Sequence, residues 1–489
     1  MSPVKLNPAV LILAVLCGSD VYSQTAQDTL VLTLQQVTVM AQEKSIMALQ
    51  ASTTKKTKYW EYRTFRSNYQ PQLSMDGTLP NYNKTFAEVL QPDGSILFQP
   101  IHNNNSALSL SFSQSISTTG TTIFGTTRLQ RFDDFERDQK LYNGIPFGVG
   151  IQQPLFQFNQ LKWDRRIEPL KYAESKQEYI ESMENISVTA CGYYFDLLMA
   201  QVNFQAAETN LMNTEKIMRI ADEKFNLGKI SRNEILQLQL EQLKAQKAIG
   251  VAQRDIEIAT LNLRSFIGLP DTRQIALKLP PSSINMGVTS QEVLDQAYAN
   301  RSDAIAFQRR IAEAKRDVAK AKGDNGLNAM LTAQLGYSKS AVSFNKVYQS
   351  PQDQQMVSLS FTIPILDWGR SKARTKTAEA NLEFISYAVK QDEQIFAQEI
   401  ITQVTLFDMM KDQMKIVAMA DSIASEKYNI AKERYMLGNL SITDLSISFQ
   451  EKDQSKRDNV TALRNLWGSY FQLRYLSLYD FEKHEKIRY

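Results

Sequence analysis

Two periodicities alternate along the chain. Leu108, Leu110, Phe112 and Ile116 are interleaved with Ser109, Ser111, Ser113, Ser115 and Ser117, and Val357, Leu359, Phe361 and Ile363 with Ser358, Ser360 and Thr362. A period of two places apolar groups on one face of a strand and hydroxyls on the other. Weaker alternations at Leu73 and Met75, at Phe147, Val149 and Ile151, at Leu331, Ala333, Leu335 and Tyr337, and over 121–129 mark further strand candidates. The rest of the pattern is helical. Residues 34–68 and 290–322 are amphipathic and rich in Ala, Gln, Lys and Glu. From 370 to 437 there is neither Gly nor Pro, which allows one helix of about 68 residues and about 100 Å. The matching stretch of the first half carries Pro169 near its start, predicting a kink there or a helix that begins just after it.

The chain reads as a unit written twice. Pro154, in Gln152-Gln153-Pro154-Leu155-Phe156, and Pro364, in Thr362-Ile363-Pro364-Ile365-Leu366, lie 210 positions apart. The segment 221–231, ending Leu227-Gly228-Lys229-Ile230-Ser231, answers 431–441, ending Leu437-Gly438-Asn439-Leu440-Ser441, at the same offset of 210. Two distant landmarks with one spacing argue for duplication. Upstream, Gln35, Val37 and Ala41 face Gln291, Val293 and Ala297 at an offset of 256, so the first copy holds 46 extra residues. These fall within 82–144, a Ser, Thr and Asn-rich stretch expected to form a surface loop or an added hairpin. Pro270, Pro280 and Pro281 mark a linker. The expected organisation is a signal peptide over 1–23, a first repeat over 24–269, a linker over 270–289, a second repeat over 290–480 and a charged tail over 481–489.

Each long helix should turn at Leu-Gly, where Gly228 or Gly438 supplies a left-handed cap and Ser231 or Ser441 caps the returning helix. On the first return helix Ala245, Ile249, Ala252, Ile256, Ala259 and Leu263 recur at steps of four and three, a coiled-coil seam with close helix approach. The strands alone would fit a soluble sandwich with one buried face. They are few, however, and they lead directly into very long helices. A few strands cannot close a core, and their bare edges could not survive in lipid, so identical chains must complete a barrel. Phe158 and Trp368, 210 apart, would then lie at a barrel rim as girdle aromatics or serve as plain core.

Composition narrows the function. The 489 residues carry 55 Lys plus Arg against 52 Asp plus Glu, without the basic runs that grip phosphate backbones, so nucleic acid is not an expected partner. Lys5, the apolar run 9–16 and Val21-Tyr22-Ser23 read as a cleaved secretion signal. Lipidation at Cys17 is the rival reading, opposed by the bulky Leu16 before it. After cleavage only Cys191 remains, so no intramolecular disulfide is expected. No later stretch approaches a membrane-spanning apolar helix, although a barrel strand needs only alternate apolar residues.

The order of helix, strands, proline-marked junction, long helix, Leu-Gly-x-x-Ser turn and return helix, written twice, resembles the TolC family of outer-membrane efflux proteins. The strongest local pieces are Gln153-Pro154-Leu155-Phe156, the two Leu-Gly-x-x-Ser turns and Asn300-Arg301-Ser302-Asp303. The resemblance implies an α+β membrane protein, a homotrimer with a twelve-stranded barrel of about four strands per protomer above a periplasmic coiled-coil tube. It implies docking to a periplasmic adaptor and an inner-membrane pump of RND or ABC type, in outer-membrane lipid. The extra strands of the first copy could enlarge the barrel or fold outside it. By position, Asp444 matches the family's first acidic ring at the periplasmic entrance, Ile447 stands at the second acidic ring, and Leu440 replaces a latching arginine. Crowded Asp444 carboxylates would raise one another's pKa and attract cations, though an Asp at a helix N-terminus is also simply favoured by the helix dipole. Adaptor-docking candidates are Leu227, Gly228, Ser231, Leu437, Gly438 and Ser441, which also make the turns. The rival class is a non-channel structural or adhesive coiled-coil protein of the envelope.

Chemistry is sparse. His102 lies in a His-Asn-Asn-Asn loop and His484 in the tail, neither with metal-ligand spacing, and no phosphate-binding loop or nucleophile elbow occurs. Met409, Met410, Met414 and Met419 could suggest soft-metal handling, but helix packing is the better account. The reading is a non-enzyme without cofactor.

Overall fold

The computed structural model describes residues 29–270 and 273–489, so the expected signal segment and Cys17 lie outside the described residues. The first half runs β1 (Leu30–Leu32), α1 (Leu34–Lys44), α2 (Ile46–Ser67), β2 (Gln72–Thr78), β3 (Tyr82–Leu90), β4 (Ile96–Ser115), β5 (Thr122–Asp134), β6 (Gln139–Leu155), α3 (Gln160–Asn226) and α4 (Arg232–Ile267). The second half runs β7 (Ile275–Leu277), α5 (Ser290–Asn300), α6 (Ser302–Asp324), β8 (Asn328–Ala341), the single turn α7 (Phe344–Val347), β9 (Gln352–Thr362), α8 (Arg370–Met436), α9 (Ile442–Ser477), β10 (Tyr479–Asp480) and β11 (Glu485–Lys486).

The sequence offsets recur in the element boundaries. Helices α3 and α8 are both 67 residues long and start 210 positions apart, as do the 36-residue α4 and α9. At 1.5 Å per residue each long helix spans about 100 Å. Pro169 neither begins nor precedes α3: the helix starts at Gln160, its N-cap Asn159 accepting from the Lys162 amide, and Pro169 sits inside it. The shorter amphipathic stretches each break once, at Ser45 and Arg301. Ser45 is buried and its hydroxyl accepts from the Ala48 amide to start α2.

Seven strands form one antiparallel sheet in the order β2-β4-β5-β6-β8-β9, with β3 also paired to β4. The first-copy surplus is therefore not a loop: β4 and β5 are inserted between β2 and β6, and the sheet exceeds the four strands that the family resemblance implies. Register makes its two faces distinct. One row runs Leu73, Phe112, Gly125, Val149, Leu335, Gln355 across six strands, and the next runs Ser74, Ser111, Thr126, Gly148, Gly336, Gln354 on the opposite face. The apolar face is bare: Leu73, Met75, Val357 and Phe361 are all about two-thirds exposed or more. Strand β6 carries Pro146, which lacks a donor, and the ladders on both its sides slip there. Strand β3 continues the line of β2 along β4, and Ile96 to His102 of β4 pair with β3 alone, making a two-stranded arm beyond the sheet.

Where sheet meets helix, the exposed aromatics are Phe156 and Trp368, both at positive φ, and not the 210-spaced pair. Phe158 instead packs on α6, where Gly323 leaves room for it: a Cβ at Gly323 would stand 2.7 Å from the Phe158 backbone nitrogen. Pro154 lies within β6 opposite Met330, and Pro364 follows the end of β9.

The main core lies where α1, α3, α4, α5, α8 and α9 meet, around Tyr194, Phe195, Ile400, Phe407, Leu466 and Leu473. The linker joins it: β7 pairs in parallel with β1, and the Gln201 side chain donates to Ile275 O at 2.6 Å and accepts from Leu277 N at 3.1 Å. The charged tail is folded back. Phe481 and Ile487 are buried, the Tyr489 hydroxyl donates to Glu184, and Arg474 bridges fully buried Glu184 at 3.1 Å and Asp480 at 2.8 Å. A buried carboxylate demands such partners.

Candidate functional site

The two helical hairpins end together, and their shared tip is the candidate entrance. Each turn is the same motif. Lys229 N donates to Lys224 O and Gly228 N to Phe225 O, both at 2.8 Å, and Asn439 N donates to Arg434 O at 2.9 Å and Gly438 N to Tyr435 O at 3.0 Å. These are Schellman closures, and Gly228 and Gly438 sit at φ 70° and 82°, where a side chain is strained. Ser231 accepts from the Glu234 amide while Glu234 reaches back to Ser231 N at 2.9 Å. Ser441 accepts from the Asp444 amide at 3.1 Å.

An apolar cluster joins the hairpins. Ile217, Ala221, Ile235 and Leu238 of the first pack against Tyr428, Ala431, Tyr435, Ile442 and Leu445 of the second, with Leu440 partly buried beside them. Burial raises the pKa of both the Tyr428 and Tyr435 phenols, so these rings stay neutral. Leu227 and Leu437, at 70% and 76% exposed, project past the cluster into solvent.

Sequence reasoning missed the polar contacts that cross between hairpins. Lys224 of α3 donates to Tyr435 O at 3.1 Å and Met436 O at 3.2 Å, carbonyls in the last turn of α8, and its ammonium lies 5.3 Å from the Tyr435 ring centroid. A cation there also meets the negative end of the helix dipole. Further along, Lys432 donates to Asn213 at 3.1 Å and Asn210 to Asp453 at 2.7 Å. All pair residues more than 200 positions apart, so local pattern carries no signal for them beyond the offset of the two turns.

Asp444 is exposed on the first turn of α9, where the helix dipole favours a carboxylate, and its side chain receives the Ser441 hydroxyl at 2.8 Å. Ile447 is half exposed, one turn further. Thus Asp444 and Ile447 sit at the tip, while Leu440 belongs to the apolar joint. The methionines of α8 do not converge: Met414 is buried, whereas Met409 and Met419 are exposed. His102 accepts or donates with the Tyr82 hydroxyl at 2.8 Å in the β3–β4 arm. Among the described residues, no helix is long and apolar enough to cross a membrane, and no group of three His, Cys, Asp or Glu side chains could hold a metal ion.

Long helical hairpins continuous with a sheet whose exposed face is apolar describe a channel of the outer-membrane export class. The profile of the family described as "Outer membrane efflux protein" matches residues 62–269 and 293–475, and the chain belongs to that family. Its members are transport conduits, and this chain is an outer-membrane efflux channel of the TolC-like type. Solved structures agree in fold. CusC superposes with a TM-score of 0.64 at 14% identity over 94% of this chain and 95% of that one. The CmeC outer membrane channel of Campylobacter jejuni gives 0.65 at 15% over 93% and 90%, and VceC of Vibrio cholerae 0.61 at 14% over 91% and 95%. No curated protein matches in sequence.

Proposed function

We propose that three copies of the chain form a passive exit duct of a tripartite efflux or type I secretion system. The apolar sheet face meets outer-membrane lipid, and the four long helices of each copy build a tube that reaches through the periplasm. The exposed tips around Leu227 and Leu437 dock a periplasmic adaptor, and an inner-membrane pump supplies the energy. Asp444, three times repeated, lines the entrance, and the apolar joint with Lys224 holds the hairpins together in place of a charged latch.

The observation that carries this reading is the pairing of a bare apolar sheet face with 67-residue helices that turn at solvent-exposed leucines. A structural coiled-coil protein of the envelope has no use for such a face. The test replaces Leu227 and Leu437 with Glu. Both side chains are exposed, so folding changes within about 0.5 kcal/mol. Cells carrying the double variant should hold normal amounts of extractable protein yet accumulate the exported solute like cells lacking the gene. Undiminished export by that variant removes adaptor docking at the tips.

A further inference from the structure

We infer that this channel closes as an eighteen-stranded barrel, through pairing of β2 of one copy with β9 of the next. The inference rests on the trimeric duct proposed above and fixes the shape of its outer-membrane end.

Both ends of the sheet are bare edges. Every residue of β2 and every residue of β9 is exposed, whereas the strands between them are partly covered on both sides. Leu73 and Met75 on β2, and Val357, Leu359 and Phe361 on β9, stand on the face assigned to lipid. Unpaired amides and carbonyls cannot face hydrocarbon, so a strand must cover each edge. The six strands β2-β4-β5-β6-β8-β9 alternate in direction, so β2 and β9 run oppositely. A second copy therefore continues the antiparallel ladder with no change of pattern, and its own face rows match in chemistry. Six strands cannot close alone, because about eight are needed merely to fill a barrel interior with side chains.

The inserted β4–β5 hairpin is what sets the number. It does not lie over the sheet; β4 pairs with β2 through seven residues, and β5 pairs with β6 over nearly its whole length. Removing it would leave β2, β6, β8 and β9, four strands per copy. With it, three copies supply eighteen. Strands about 4.8 Å apart and tilted about 40° each take about 6.3 Å of circumference, so eighteen give about 113 Å and twelve about 75 Å. Twelve tube helices at 8–10 Å spacing need roughly 96–120 Å. The wider barrel thus matches the girth of the tube, and the duct does not narrow at the membrane. Its inner wall, along the Ser111, Thr126, Gly148 and Gly336 row, carries hydroxyls and glycines in place of bulky groups. Size selection then falls to the hairpin-tip end, and the barrel passes any solute that the tube admits.

The experiment uses the full chain with cysteine pairs on the inner face. Cys191 is buried and gives no background. Ser74→Cys is combined in turn with Gln354→Cys, Met356→Cys, Ser358→Cys and Ser360→Cys, and as a control with Gly148→Cys of β6. Oxidation should link one or two neighbouring edge combinations into covalent trimers, and the control should stay unlinked because two strands separate its partners. Linkage of Ser74→Cys to Gly148→Cys within one copy, or of no edge combination, overturns the eighteen-stranded barrel. A native mass other than three copies instead refutes the trimer on which it rests. A second variant replaces residues 79–138 with Asn-Gly, and the polymer-exclusion diameter of its pores should fall by about one third. An unchanged diameter overturns the inference.

Discussion

Replacing Lys224 with Met keeps the side-chain length and its apolar stem but deletes the ammonium that ties α3 to the end of α8. The two bonds it makes, at 3.1 and 3.2 Å, are charge-assisted, and Lys224 is partly exposed. A buried charged hydrogen bond contributes about 1.5–3 kcal/mol net, and a cation at an exposed helix C-terminus about 0.3–1 kcal/mol. The solvent-screened clasp therefore contributes about 1 kcal/mol per copy. In the proposed trimer, opening that breaks all three clasps together is made easier by about 3 kcal/mol, which raises the open population roughly hundredfold at 1.4 kcal/mol per factor of ten. Single-channel recording in planar bilayers reads this directly as the fraction of time spent conducting. Lys224→Arg retains donors and charge and should restore most of the closed time. The reasoning is refuted if the Met variant gates like the wild type, or if the Arg variant leaks as much as the Met variant.

Three further outcomes follow from the same structure. Leu445→Ala empties a buried site in the tip joint and should cost about 2–5 kcal/mol; hydrogen exchange should speed up around 217–238 and 428–445 and leave the core around Phe407 protected. Arg474→Met strips fully buried Glu184 of its main partner, a loss of about 3–5 kcal/mol seen as a lower melting temperature, and an unchanged melting point would show that Glu184 is satisfied by the Tyr489 hydroxyl without it. Burial pushes the Cys191 thiol from 9.0 up to about 12. Because the folded value is the higher one, the stability linked to this thiol is complete below pH 9 and declines as pH rises toward 12. A maleimide at neutral pH should accordingly label Cys191 only after unfolding, and rapid labelling of the native chain would contradict its burial.

Much of this architecture is visible in the chain before folding. The absence of Gly and Pro from 370 to 437 anticipates α8 nearly to the residue, and the Leu-Gly turns locate both tips, because helix propagation and its left-handed stop are local physics. The alternation at Leu108–Ser117 gives the strand β4 and the face it turns outward. Its neighbours are another matter. Whether that strand pairs with β2 and β5 inside the sheet or stands outside it depends on contacts between distant segments, so the spacing of Ser and Leu is silent about it. Strands β1 and β7 are three residues each and too short to show any period. Phe158 reads as the partner of Trp368 by offset, yet Gly323 gives it a packing site that only the folded chain creates. The tip site divides in the same way. Ser231 and Ser441 are legible as caps, while Lys224 reads as an ordinary solvated helix lysine until the second hairpin brings the carbonyls of Tyr435 and Met436 to it.

The central claim, a trimeric duct with an acidic entrance, is tested most directly by the conductance of detergent-extracted protein in planar bilayers, comparing wild type with Asp444→Ala. Discrete single-channel currents from cross-linked trimers, with a cation preference that falls in the variant, are the predicted result. Monomers that carry no current under any refolding condition would contradict the duct itself, and unchanged ion preference in conducting trimers would contradict the role of Asp444.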